Sequence, residues 1–159
     1  MRPPCLCLLS ALVASLVQPA SAKVQCPDKG LNDQQFAALL QQVAEGWNTN
    51  DAAQAASAFH PEAVYSEPPD RQLYQSRDAL YAFFGGEEGR SSWMRMTWHH
   101  VSFDEATQIG SGEFTFAWPG GKAHGMTSIR VRECLIGNWR EYFRESDLEW
   151  DAFQGANRF

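Results

Sequence analysis

The stretch from Trp47 to Pro69 reads WNTNDAAQAASAFHPEAVYSEPP, and it changes secondary structure part-way along. Asn50 or Asp51 can cap a helix by accepting a hydrogen bond from its first free N–H groups. The Ala-rich run that follows is a helix to Phe59, stopped at His60-Pro61 because proline brings no donor and clashes with the preceding turn. Ala63 to Pro69 is then a short extended segment, ended by two prolines that cannot continue a ladder.

Upstream, Asn32 can cap an earlier helix with Gln35 three residues on. Phe36, Leu39, Leu40, Val43 and Trp47 recur there at steps of three and four, which predicts one apolar face. Downstream, Ser76 caps a third helix with Leu80, Phe83 and Phe84 inward, closed by Gly85-Gly86. From there the period changes to two. Met94 to Phe103, Glu113 to Trp118, His124 to Arg132 and Ile136 to Arg144 read as strands, separated by turn material such as IGSG and PGGK. ESDLEWDAF, capped by Ser146, reads as a short last helix.

Consecutive strands joined by short turns are expected to be antiparallel neighbours. With the helices on one face, the expected class is α+β. The expected architecture is a strongly curved antiparallel sheet with three helices enclosing a conical cavity.

The chain begins MRPPCLCLLSALVASLVQPASA. One early positive charge, an apolar run from Cys5 to Val17, a breaker at Pro19 and small residues at Ala20-Ser21-Ala22 form the pattern of a secretory signal peptide. Cleavage after Ala22 leaves residues 23–159 as one domain, secreted or periplasmic, and the run is too short to span a membrane. That domain carries twelve basic against nineteen acidic residues, a net charge of −7. With no Lys or Arg run, nucleic-acid and anionic-membrane partners are disfavoured. Cys26 and Cys134 remain after cleavage. They read either as a disulfide, expected in an exported chain, or as two separate thiols. No metal is expected, since no second Cys or His stands at ligand spacing.

In NWREYF, Asn138 to Phe143, alternation puts Trp139, Glu141 and Phe143 on one face and Asn138, Arg140, Tyr142 and Arg144 on the other. Both faces mix aromatic and charged groups. One face is therefore expected to line a ligand pocket and the other to meet a second subunit.

WNTND, AAQAASAFHPEAVYSEPP, SRDALYAFF and LIGNWREYF together resemble the SnoaL-like branch of the nuclear transport factor two-like superfamily, over about Phe36 to Phe153. The resemblance implies the cystatin-like α+β barrel fold and, because open sheets of that superfamily commonly pair back to back, an isologous homodimer. That superfamily holds ketosteroid isomerase, limonene epoxide hydrolase, scytalone dehydratase, polyketide cyclases and members that only bind or assemble, so the fold does not fix the reaction. The ketosteroid isomerase base falls on Glu67, whereas its oxyanion-hole positions fall on Val43 and on Thr127 or Ser128. Arg144 stands where the epoxide hydrolase motif closes with Asp. The scytalone dehydratase histidine falls in WHHV, on His99 or His100, and alternation sends one of these to each face, a β-bulge exchanging which of the two faces the pocket.

The candidate catalytic residues are therefore Glu67, His99 and His100. A carboxylate at the mouth of an apolar hollow has its pKa raised toward the range where a base works, and histidine is the natural proton carrier near neutral pH. Trp47, Tyr65, Tyr81, Trp98, Trp118, Trp139, Glu141 and Tyr142 are the candidate ligand-binding set, since aromatic walls with few polar groups describe a small-molecule pocket. Two readings follow. One is a lyase, isomerase or hydrolase that needs neither cofactor nor metal and acts on a small hydrophobic molecule. The other is a non-catalytic small-ligand-binding or accessory dimeric module.

Overall fold

The computed structural model describes residues 26–68 and 72–156. The segment expected as a signal peptide, residues 1–22, lies outside the described residues. Helix α1 spans Asp33–Thr49, and Asn32 caps it as the sequence predicts, its side chain accepting from the Gln35 N–H while the Gln35 side chain accepts from the Asn32 N–H. Its apolar stripe, from Phe36 to Trp47, is buried. Helix α2, Ala52–Ser57, is capped by Asp51. It packs on α1 so closely that a Cβ on Gly46 would stand 2.6 Å from the backbone N and the Cβ of Ala55. Gly46→Ala is therefore expected to lower stability by about 1–3 kcal/mol despite its better helix propensity, because neither backbone can yield. Urea unfolding checks this, and an unchanged midpoint would mean that the two helices can separate at no cost.

Strand β1 runs Phe59–Glu67 and continues through His60 and Pro61. The sequence reading stopped a helix at that pair. The chain is already in the sheet there, because Phe59 is wholly buried and pairs with Ile136. Strand β2, Gln72–Gln75, was not foreseen, and it pairs antiparallel with β1. Helix α3 spans Arg77–Phe83 and is capped by Ser76. Strands β3 (Arg95–Asp104), β4 (Ile109–Trp118), β5 (Gly121–Arg132) and β6 (Leu135–Glu145) form the expected antiparallel meander. Helix α4, Trp150–Ala156, ends the described chain.

IGSG, expected as a turn, lies inside β4, and the turn falls instead at residues 105–108. Gly110 and Gly112 are there for packing, since a Cβ on either would stand 2.5–2.6 Å from the Phe36 or Trp98 ring.

The sheet order is β2-β1-β6-β5-β4-β3. β1 joins β6 in parallel, so the six-stranded sheet is mixed rather than wholly antiparallel. It is curved and unclosed, an α+β architecture with α1, α2 and α3 against its inner face. α4 lies on the outer face, where Trp150 meets the rings of His99 and His124. Cys26 and Cys134 are bonded, so of the two cysteine readings the structure has the disulfide. No described helix is long and apolar enough to cross a membrane.

Candidate functional site

Alternation along β6 directs Trp139, Glu141, Phe143 and Glu145 into a cavity of about 380 Å³. Opposite them stand Phe114, Phe116 and Trp118 from β4, Met96 from β3 and Tyr65 from β1. Trp47 of α1 and Phe83 of α3 close the helical side. Ten of the fourteen lining residues are aromatic or thioether, and Gln72, Arg90, Glu141 and Glu145 are the polar ones. Such a surface rewards flat apolar ligands and leaves its few polar groups poorly solvated.

Glu141 is the central polar group. Its carboxylate is buried, with Oε1 accepting from the Tyr65 hydroxyl and Oε2 from Trp139 Nε1 at 2.9 Å. Tyr65 comes from β1 and stacks on Trp139, ring centroids 5.6 Å apart, so two neighbouring strands fix all three groups. Burial pushes the Glu141 pKa from 4.5 up to about 7, outweighing the two donors, which pull it down, while the charge of Glu67 raises it further. Burial also raises the Tyr65 hydroxyl well above its usual range, and negative charge on Glu141 adds to this. A carboxyl group that titrates near neutrality can take up and release a proton at working pH.

Glu67, at the end of β1, is buried and on the same face as Tyr65. It acts on Glu141 and Tyr65 through its charge. His99 and His100 lie elsewhere. A bulge after Trp98 breaks the expected alternation and turns both to the outer face, where His99 Nε2 meets Thr115 Oγ1 at 2.7 Å and His100 Nδ1 meets Glu113 at 2.6 Å. Thr115 Oγ1 also bonds His124 Nδ1 at 2.9 Å, and His124 Nε2 reaches the Leu148 carbonyl at 2.8 Å. A carbonyl only accepts, so neutral His124 donates from Nε2 and accepts the Thr115 hydroxyl at Nδ1. These histidines fasten the segment before α4, and His99 stacks on Trp150 at 3.8 Å.

Of the expected pocket set, Trp47, Tyr65, Trp118, Trp139 and Glu141 line the cavity. Trp98 is committed to packing on Phe114 and Trp139, with its Nε1 donating to the Leu40 carbonyl. Tyr81 packs at the edge of the core on α3. Tyr142 is exposed on the outer face. Thr127, directly across from Glu141 in β5, spends its hydroxyl on the Arg140 carbonyl.

Nine lining residues stand outside the expected set, and two of them are Gln72 on β2 and Arg90 in the loop between α3 and β3. Neither stands in a periodic pattern. The Arg90 guanidinium lies 4.4 Å over the Trp47 ring, with Nη1 donating to the Phe84 carbonyl and Nη2 to that of Trp47. Among the described residues no His/Cys/Asp/Glu group is arranged to hold a metal ion.

Residues 40–145 match the SnoaL-like domain family. The chain belongs to that family. No curated protein sequence matches it. Similar solved structures share the fold at low identity. One is a protein of unknown function with a cystatin-like fold from Methylobium petroleophilum, at 18% identity and TM-score 0.63, covering 76% of this chain and 82% of that one. Another is a candidate ketosteroid isomerase from Kribbella flavida, at 13% and 0.61, covering 74% and 83%. A third is an epoxide hydrolase of limonene epoxide hydrolase type from Mycobacterium tuberculosis, at 14% and 0.59, covering 70% and 84%. At these identities the likeness shows the fold alone.

Proposed function

We propose that this SnoaL-like domain is an acid–base enzyme, a lyase, isomerase or hydrolase that moves a proton on a small apolar molecule held in the aromatic cavity. Glu141 is the proton-transfer group. The observation that carries this reading is a buried carboxyl group facing a largely apolar cavity with no cation bonded to it among the described residues, so that it titrates near neutral pH instead of remaining a fixed anion. Tyr65 and Trp139 orient it, and Glu67 tunes it from the end of β1.

Proton transfer of this kind needs no more than these groups and, for hydrolysis, a water molecule. The non-catalytic alternative draws on one specific observation. Each Glu141 oxygen already has a protein donor, an arrangement that would also serve to fix a binding surface. We further propose that the chain works outside the cytoplasm, in keeping with its Cys26–Cys134 disulfide. The exposed Met126 and Tyr142 on the outer face are in keeping with pairing of two copies.

A panel of small aromatic ketones and epoxides, followed by NMR in D2O for deuterium uptake or ring opening, tests the catalytic reading. Glu141→Gln is expected to lower turnover of any active compound by at least about a hundredfold, as loss of a general base does. Unchanged turnover in the folded variant would overturn the assignment, and binding without turnover across the panel would favour the accessory module.

A further inference from the structure

We infer that Arg130 and Arg140 form a binding site for a phosphate monoester on the outer face of the sheet, on the opposite side from the aromatic cavity. The ligand class is a small soluble molecule carrying one phosphate group, and the inference is independent of the acid–base reading.

Strand register assembles the site. Arg140 of β6 lies between Ser66 of β1 and Ser128 of β5. Two residues back along β6, Asn138 lies between Val64 of β1 and Arg130 of β5. Six neighbouring side chains on one face thus include two guanidiniums, two hydroxyls and an amide, and with Ile109 of β4 they line a groove of about 330 Å³. Arg130 and Arg140 take diagonal positions across an antiparallel pair, where Cα atoms stand about 7–8 Å apart. Both guanidiniums can therefore close on a single group.

These two charges are uncompensated. Arg132 pairs with Glu62 and Lys122 with Glu149, while Arg77 and Arg90 donate to backbone carbonyls. Among the described residues, the side chains of Arg130 and Arg140 have neither an acidic partner nor a hydrogen bond, and those of Ser128 and Asn138 are likewise unbonded. The Ser66 hydroxyl has only the Trp139 carbonyl, at 3.5 Å. The acids on this face are engaged elsewhere. Asp104, two strands across from Arg130, accepts from the Ala106 N–H and the Thr107 hydroxyl, each at 2.9 Å, and Glu113 bonds His100 at 2.6 Å. Over residues 23–159 the net charge is −7, so two adjacent unmatched cations run against the overall balance and make a local attraction for an anion.

A dianionic tetrahedral group answers this arrangement. Its charge matches both guanidiniums, and its three terminal oxygens can accept from their paired N–H groups and from the serine hydroxyls. A carboxylate brings one charge and two oxygens, which leaves one arginine unmatched. Val64 and Ile109 offer the carbon side of an ester an apolar wall. A membrane surface crowded with such groups would repel the acidic body of the domain, so the source is a single soluble molecule. Met126 and Tyr142, where two copies are proposed to meet, are outside the groove lining.

The test titrates glycerol 1-phosphate into the isotope-labelled whole chain near neutral pH, with acetate and inorganic phosphate in parallel at equal ionic strength. NMR follows the arginine Nε–H resonances. Those of Arg130 and Arg140 are expected to shift along saturating curves with the ester, and that of Arg95, exposed on β3 and outside the groove, to stay in place. Arg130→Gln and Arg140→Gln are each expected to weaken binding about tenfold, as loss of a hydrogen bond to a charged group does, and together to abolish it. Raising NaCl from about 50 to 300 mM should weaken it severalfold, because exposed charges are screened.

Shifts that never saturate, equal responses to acetate, or binding that survives in the folded double variant would overturn the inference. Tighter binding of inorganic phosphate than of the ester would overturn the ester assignment. A parent that ignores phosphate but forms a dimer that the double variant cannot form would also overturn it, since the guanidiniums would then meet acids of a second copy. The parent's own Nε–H shifts keep the test decisive even if a variant fails to fold.

Discussion

Glu141→Gln is expected to make the protein more stable at pH 8, by about 1–3 kcal/mol, and to leave stability below pH 4.5 nearly unchanged. The parent carboxyl has a folded-state pKa of about 7 against 4.5 for the ordinary group. A folded pKa above the unfolded one means that the native state holds its proton more tightly. Stability from this group is then fully present below pH 4.5, where both states are protonated, and is lost as pH rises through 7. Separation of the two values corresponds to about 3 kcal/mol.

Glutamine imitates the protonated form at every pH. Its Oε1 can accept from Trp139 Nε1, and its amide N–H can donate to the Tyr65 oxygen once that hydroxyl turns outward. The replacement therefore preserves the packing and removes the charge. Urea midpoints of parent and variant, measured from pH 4 to 9, give a difference curve in which all other titrating groups cancel. That curve should be flat below 4.5, rise through the interval up to 7 and level off. Parallel profiles would mean that Glu141 ionises as an ordinary exposed acid, and the proton-transfer assignment would fall with it. A rise in stability coupled to a loss of turnover is the outcome for a residue held in an unfavourable state for its chemistry.

What the sequence made legible was local. The Asn32 cap, the Gln35 box and the apolar stripe of α1 are all contained within one helix, and all appear as read. The division of β6 into a Trp139–Glu141–Phe143 face and its opposite also survived, since pleating alone dictates it. Long-range pairing decided the rest. β1 continues through His60 and Pro61 because Phe59 docks beside Ile136, which lies far along the chain. The four residues of β2 carry no pattern long enough to read, and the partner that makes them a strand is β1. His99 and His100 were assigned opposite faces by alternation, and one bulge put both outside. Glu141 could be seen as pocket-facing, whereas its near-neutral titration depends on burial and on Tyr65 and Trp139 together. Arg90 gave no signal at all. Its anchoring carbonyls belong to Phe84 and Trp47, and only the packing of α1 against α3 puts them side by side.

Removal of the Cys26–Cys134 bond is expected to be the largest single loss of stability, about 4–5 kcal/mol. The bond closes a sequence separation of 108 residues, and restricting a loop of that length in the unfolded chain accounts for stabilisation of this size. For a domain of this length the corresponding fall in Tm is roughly 10–20 °C. Leu31 is buried, and its backbone N–H and carbonyl bond the Gln108 side chain at 2.8 and 2.9 Å. Cys134 itself sits with Glu133 in the turn between β5 and β6, both at positive φ, which side chains with a Cβ rarely adopt. Cys26→Ser combined with Cys134→Ser should therefore lower the Tm while leaving the pH dependence of the Glu141 difference curve in place, because neither cysteine lines the cavity. Comparing the double variant with the parent, each with and without reductant, separates the cross-link from the substitutions. Reductant should bring the parent to the stability of the variant and leave the variant unmoved. If reduction cost less than about 1 kcal/mol, the lead from Cys26 to Leu31 would be held by Gln108 and Leu31 alone, and the disulfide would give no support to a role outside the cytoplasm.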